Sequence, residues 1–130
     1  LIAGLSSALL TLLLHSLIFT YFIGTGRWVQ EVVKAYRLSE SLYATSRRLK
    51  SRAFPYILGS TLLVITTAIL GAATDRALLD RNIHLALACL AVGFNFWSYL
   101  VEYQAVVANS ELINDIMSDV TRMRRERGLE

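Results

Sequence analysis

Three stretches of this chain hold no Asp, Glu, Lys or Arg: Leu1 to Gly26, Ala53 to Thr74, and Asn82 to Val101. Each is at least twenty residues long, and about 20 helical residues cross the ~30 Å hydrocarbon layer of a bilayer. That layer holds no water to satisfy backbone N–H and C=O groups, so a spanning segment must satisfy its own, as a helix does. The windows therefore predict an all-α integral membrane protein, a single membrane domain over residues 1–130. Its three transmembrane helices are expected over residues 1–23, 54–73 and 82–104.

The connecting segments have a different texture. Gly24-Thr25-Gly26 reads as a break after the first helix. Beyond it Trp28, Val29, Val32, Val33 and Tyr36 recur at helical spacing, with Arg27, Glu31, Lys34 and Arg37 opposite. Ser39 opens a second short helical stretch with Leu42, Tyr43 and Leu49 along one side. Residues 25–53 are thus expected to form an amphipathic helical loop, lying along the membrane surface or packing on a neighbour. Pro55 suits the first turn of the next helix, where its missing N–H costs nothing. The short segment from Thr74 to Arg81 predicts an antiparallel hairpin. The third helix is expected to continue out of the membrane over 105–127. There Val106, Ile113 and Val120 recur every seven residues, with Asn109, Ile116 and Met123 between them, and Gly128 provides a stop.

Basic residues fix an expected orientation. The first loop holds Arg27, Lys34, Arg37, Arg47, Arg48, Lys50 and Arg52, and the tail holds Arg122, Arg124, Arg125 and Arg127. The hairpin holds only Arg76 and Arg81, beside Asp75 and Asp80. Positive charge accumulates on the cytoplasmic side, so the N-terminus is expected outside and the loop and C-terminus in the cytoplasm of the cell's inner (plasma) membrane. The net charge of +3 does not imply a nucleic-acid partner, because the basic residues flank the apolar windows. Cys89 stands alone, so no intrachain disulfide exists. The first window lacks the basic flank and cleavage motif of a signal peptide. All thirteen aromatic residues lie between Phe19 and Tyr103, at the expected inner side.

Few residues suggest chemistry. His15 sits inside the first window, where an ionisable group is expensive and hence a functional candidate. A neutral histidine bonded to a neighbouring helix outweighs a haem ligand, since His84, the other histidine, is expected near the outer surface. Asn95 is suited to hydrogen bonding between helices, and Glu102 is expected at headgroup level, meeting an Arg of the first loop. His15, Trp97 and Tyr99 are the candidate cofactor-binding residues. Arg47, Arg48, Lys50 and Arg52 are placed to meet anionic lipid headgroups. Gly59, Thr67, Gly71, Ala91, Gly93 and Asn95 are candidate helix-packing positions, small or hydrogen-bonding enough for close approach. No phosphate loop, HExxH, dinucleotide fingerprint or metal-ligand cluster occurs, and no Asp or Glu lies inside a window.

These features favour a non-catalytic accessory subunit of a larger membrane complex, of a respiratory or photosynthetic electron-transport kind. It would pack through small-residue faces against other integral membrane subunits and the lipid bilayer. No resident cofactor and no metal is expected. The first alternative is a membrane anchor binding haem b or quinone through His15 or the aromatic cluster. The second is a small homo-oligomeric channel with His15 or Asn95 lining its pore.

Overall fold

The computed structural model describes residues 2–129. They form three helices: α1 Ile2–Tyr36, α2 Glu40–Asp75 and α3 Arg81–Glu126, with no strand among the described residues. Each is long and apolar enough to cross a membrane, as a multi-pass membrane protein requires. At about 1.5 Å per residue the helices run roughly 50 to 70 Å, so each extends well past a ~30 Å hydrocarbon layer. The first window is the most exposed: Leu9 and Leu10 are 68% and 67% accessible. Such a surface is unfavourable in water and at home in lipid.

α1 and α3 run parallel, with α2 antiparallel to both. Residues 76–80 turn at one end of the bundle (the hairpin end), beside the start of α1. Residues 37–39 turn at the other (the tail end), beside the end of α3. Each helix ends in the same way. Leu38 N–H reaches the Val33 carbonyl at 3.0 Å, Leu78 the Ala73 carbonyl at 2.9 Å, and Leu129 the Arg124 carbonyl at 3.0 Å. These are Schellman closures, which place the preceding residue in the left-handed region. Gly128 takes that conformation freely, whereas Arg37 (φ 53°) and Ala77 (φ 57°) take it against their Cβ atoms.

The buried residues follow a seven-residue rhythm. His15, Phe22 and Val29 are buried on α1, and Ser46, Ala53 and Ser60 on α2. On α3 the buried line is Ala91, Asn95, Ser98, Glu102, Ala105, Asn109, Leu112 and Ile116, in alternating steps of four and three. This is the spacing of a supercoiled bundle. It runs on past the tail-end limit of each apolar window.

Three expectations are corrected here. Gly24-Thr25-Gly26 does not break the first helix: α1 continues to Tyr36. Phe22 and Val29, buried on either side, hold the helix against the roughly 1 kcal/mol that each glycine costs. Neither glycine is required by packing: a Cβ at Gly24 would meet open space, and one at Gly26 would make an ordinary 3.6 Å contact with Ser46 Oγ. Nor do residues 25–53 form a separate surface loop. They are the end of α1 and the start of α2, joined by the 37–39 turn, with Ser39 capping α2 through Ser41 N–H. Their apolar faces meet α3 instead of the membrane surface: Val29, Val33, Leu112 and Ile116 form one core, flanked by Trp28, Leu42 and Tyr43. Pro55 lies inside α2, which passes through it unbroken.

Candidate functional site

The bundle axis is polar where a membrane protein is most apolar. His15 is 1% exposed, Glu102 0% and Asn95 8%. His15 Nδ1 lies 3.1 Å from Glu102 Oε2 and 3.0 Å from Oε1, and only the contact with Oε2 has hydrogen-bond geometry. His15 Nε2 lies 3.0 Å from Asn95 Oδ1. Tyr99 stacks on the imidazole, with ring centroids 4.9 Å apart and 16° between planes. One turn away, Ser60 donates to Ser98 at 2.7 Å, joining α2 to α3.

The hydrogen bonds fix where protons sit. Asn95 Nδ2 donates to the Ala91 carbonyl at 2.8 Å, so its oxygen faces Nε2, and Nε2 must carry a hydrogen. Nδ1 faces a carboxylate, so one further proton lies between Nδ1 and Glu102. The pair is then imidazolium with carboxylate, or imidazole with carboxylic acid. Both forms are neutral overall, which is what makes burial tolerable.

The expectation that Glu102 sits at headgroup level beside an Arg is therefore corrected. Register explains the difference. The parallel packing of α1 and α3 brings residue 15 level with residues 95–102, so a carboxylate just past the third window pairs with a histidine in the middle of the first. Both ring nitrogens of His15 thus face side chains of α3. His84 lies apart from it, packed on Gly71, where a Cβ would come within 3.0 Å of the ring.

A cleft of about 860 Å3 leads from the hairpin end toward this pair. Asp75, Arg76 and His84 stand at its rim, small residues such as Ala8 and Ala88 form its walls, and Asn95 and Tyr99 its floor. Toward the tail end the axis changes character. Phe22, Ala53, Ile57 and Ala105 form a tight apolar layer. Beyond it Asn109, fully buried, donates to Tyr21 Oη at 3.1 Å and Thr25 Oγ1 at 3.0 Å.

The other singled-out residues divide. Tyr99 joins His15, whereas Trp97 is 59% exposed and faces away, so the two do not share a pocket: they are neighbours on a helix and point in different directions. Gly59 and Gly71 serve close packing, with a Cβ at Gly59 only 3.1 Å from the Phe94 ring. Ala91 is buried, and Thr67 lines the cleft. Gly93 packs on nothing, for a Cβ there meets open space. Arg47, Arg48 and Lys50 rim a groove floored by Phe19, Ile23 and Phe54. Arg52 is exposed but stands off that groove. Sequence patterning missed the Ser60–Ser98 bond, the Asn109–Tyr21–Thr25 cluster and the pairing of His15 with Glu102. No local signal could have found them, because each joins residues on different helices. Among the described residues there is no cluster of His, Cys, Asp and Glu able to hold a metal. Comparison with family models, curated proteins and solved structures gives no match.

Proposed function

We propose that this chain is a non-catalytic subunit of a larger assembly in the cell's inner (plasma) membrane, joining that assembly to a helical head at the tail end. The observation that carries the reading is the unbroken bundle. The seam that holds His15, Phe22 and Glu102 passes directly into the aliphatic core of Val29, Val33, Leu112 and Ile116. A partner gripping the head is thereby mechanically connected to the apolar section. The exposed leucines of α1 and the exposed Phe96, Trp97 and Tyr103 of α3 leave a wide surface for other integral membrane subunits and lipid.

The distribution of Lys and Arg supports a cytoplasmic tail end. The groove of Arg47, Arg48 and Lys50 over Phe19 and Phe54 suits an anionic lipid, with phosphate at the basic rim and an acyl chain on the rings. His15 and Asn95 face the inside of a single chain, which favours a subunit over a channel lined by copies of either residue.

Native mass spectrometry after mild-detergent extraction tests the reading. Other integral membrane chains and anionic phospholipid should travel with this protein. A lone monomer, recovered active-complex-free from membranes of its own source in every detergent tried, sinks it.

A further inference from the structure

The buried pair and the cleft are separate features that meet at Asn95. We propose that His15 and Glu102 together form a proton-binding site, entered from the hairpin end through the cleft and sealed from the tail end by the Phe22 layer. The ligand is the proton itself, delivered by hydronium in the cleft. On release the imidazolium gives its Nε2 proton to cleft water, forming hydronium and leaving imidazole beside carboxylate. On uptake hydronium returns that proton to Nε2, leaving water and restoring the imidazolium–carboxylate pair. No electron or further reactant is involved.

Three observations carry this. The first is the pair itself, two ionisable groups held on the axis of an apolar section, where such residues are rare and mark proton and ion pathways among other functional sites. The second is access. The cleft, at about 860 Å3, has room for many waters at roughly 30 Å3 each. Its lining offers them partners: the Thr67 and Thr74 hydroxyls donate along their own helix and can still accept, and Asn95 uses one amide hydrogen on Ala91 and keeps a second for the cleft. The third is the one-sidedness. Phe22, Ala53 and Ala105 are each at most 2% exposed, and they separate the pair from the Asn109 cluster.

Few other charges bear on the site. α1 carries no further ionisable group before Tyr21, and α2 none between Ala53 and Thr74 except Tyr56, whose ring stacks on Phe94 at 6.4 Å. α3 adds Tyr99 against the imidazole, and Asp75, Arg76 and His84 stand at the rim. The proton is therefore held chiefly by the two residues that face each other. Asn95 is a positioning residue: its oxygen covers Nε2, so exchange with cleft water requires that bond to open.

The test uses the full chain in nanodiscs with 15N-labelled histidine and His84→Gln, so that a single imidazole is observed. The His15 ring nitrogens are expected to shift with bulk pH, and their protons to exchange with D2O. Filling the cleft with Ala88→Phe, or more gently with Thr67→Leu, should slow that exchange about tenfold or more by expelling water, with helicity unchanged. Asn95→Ala should speed it. A His15 signal indifferent to pH and to D2O makes the pair a purely structural clasp and overturns the proposal. So does an exchange rate that cleft filling leaves alone.

Discussion

The two halves of this bundle share one packing rhythm and fill it with opposite chemistry. Toward the hairpin end the axis is made of His15, Ser60, Asn95, Ser98 and Glu102, and the large aliphatic side chains face outward. Toward the tail end, past the buried Ser46 and Asn109, the axis becomes Val29, Val33, Leu112 and Ile116, and charged pairs such as Arg27–Glu31 and Arg122–Asp119 lie outside. In water, burying aliphatic surface drives association. In lipid that drive is absent, and helices are held by close packing and by polar groups that have nowhere better to go. On the function proposed above, the inversion along one continuous seam is where lipid gives way to water.

The sharpest way to break the comparison is to remove half of the polar clasp. His15→Leu leaves the Glu102 carboxylate buried alone, and Glu102→Leu leaves the imidazole with Asn95 as its one partner. Losing one partner of a buried pair costs about 3–5 kcal/mol, whereas replacing both with apolar residues is often neutral or stabilising. The double variant His15→Leu/Glu102→Leu should therefore unfold at a higher denaturant concentration than either single variant, measured by steric trapping in bicelles. Additive losses in that cycle would show that the two residues do not act as a unit.

The tail half should answer to cavities instead. Ile116 is fully buried, and Ile116→Ala should cost about 2–4 kcal/mol by opening the aliphatic core. Hydrogen exchange should then rise in residues 105–126 while the His15 ring signals stay in place. If the loss spreads equally to the hairpin end, the two halves are a single cooperative unit and the contrast between them is only one of composition.

This inversion also explains what could be read from the sequence. The three uncharged windows identified three long apolar helices, because exclusion of charge is a property of composition along the chain. The seven-residue spacing of α3 was legible too, but with its phase displaced. Val106, Ile113 and Val120 were read as one line of the repeat, whereas the buried line runs through Ala105, Asn109, Leu112 and Ile116. Only Asn109 and Ile116 belong to both. The missing signal was the first part of that line, where Ala91, Asn95, Ser98 and Glu102 are small or polar. Hydrophobicity points outward there, so a periodicity search looks at the wrong face. The glycine break fails for a related reason: Gly24-Thr25-Gly26 reads as punctuation, but burial of Phe22 and Val29 on either side carries the helix through it.

Smaller effects separate the glycines. A Cβ at Gly59 would press on Phe94 at 3.1 Å, while one at Gly93 meets nothing. Gly59→Ala should be destabilising by about 1–2 kcal/mol through overpacking, and Gly93→Ala stabilising by about 0.5–1 kcal/mol through helix propensity. Thermal melts followed by far-UV circular dichroism should shift in opposite directions. Equal shifts would mean that α2 and α3 give way easily at the Gly59 level.

The smallest effect concerns the turn that ends α1. Arg37 holds φ at 53°, a conformation that costs a residue with a Cβ about 1–2 kcal/mol, and it does so at the tail end, in the half whose core is aliphatic. Leu38 follows it and packs into the cluster of Val33, Leu112 and Ile116, so burial of that leucine secures the strained residue before it. Arg37→Gly should relieve the strain but free the unfolded chain, leaving a net gain of about 0.5–1 kcal/mol. Leu38→Ala should lose more than Arg37→Gly gains, because the contact that fixes the turn is then gone. Both are read from the denaturant midpoint. A destabilising Arg37→Gly would mean that the arginine side chain contributes more at this turn than its backbone costs, and the contrast with the freely adopted Gly128 closure would lose its meaning.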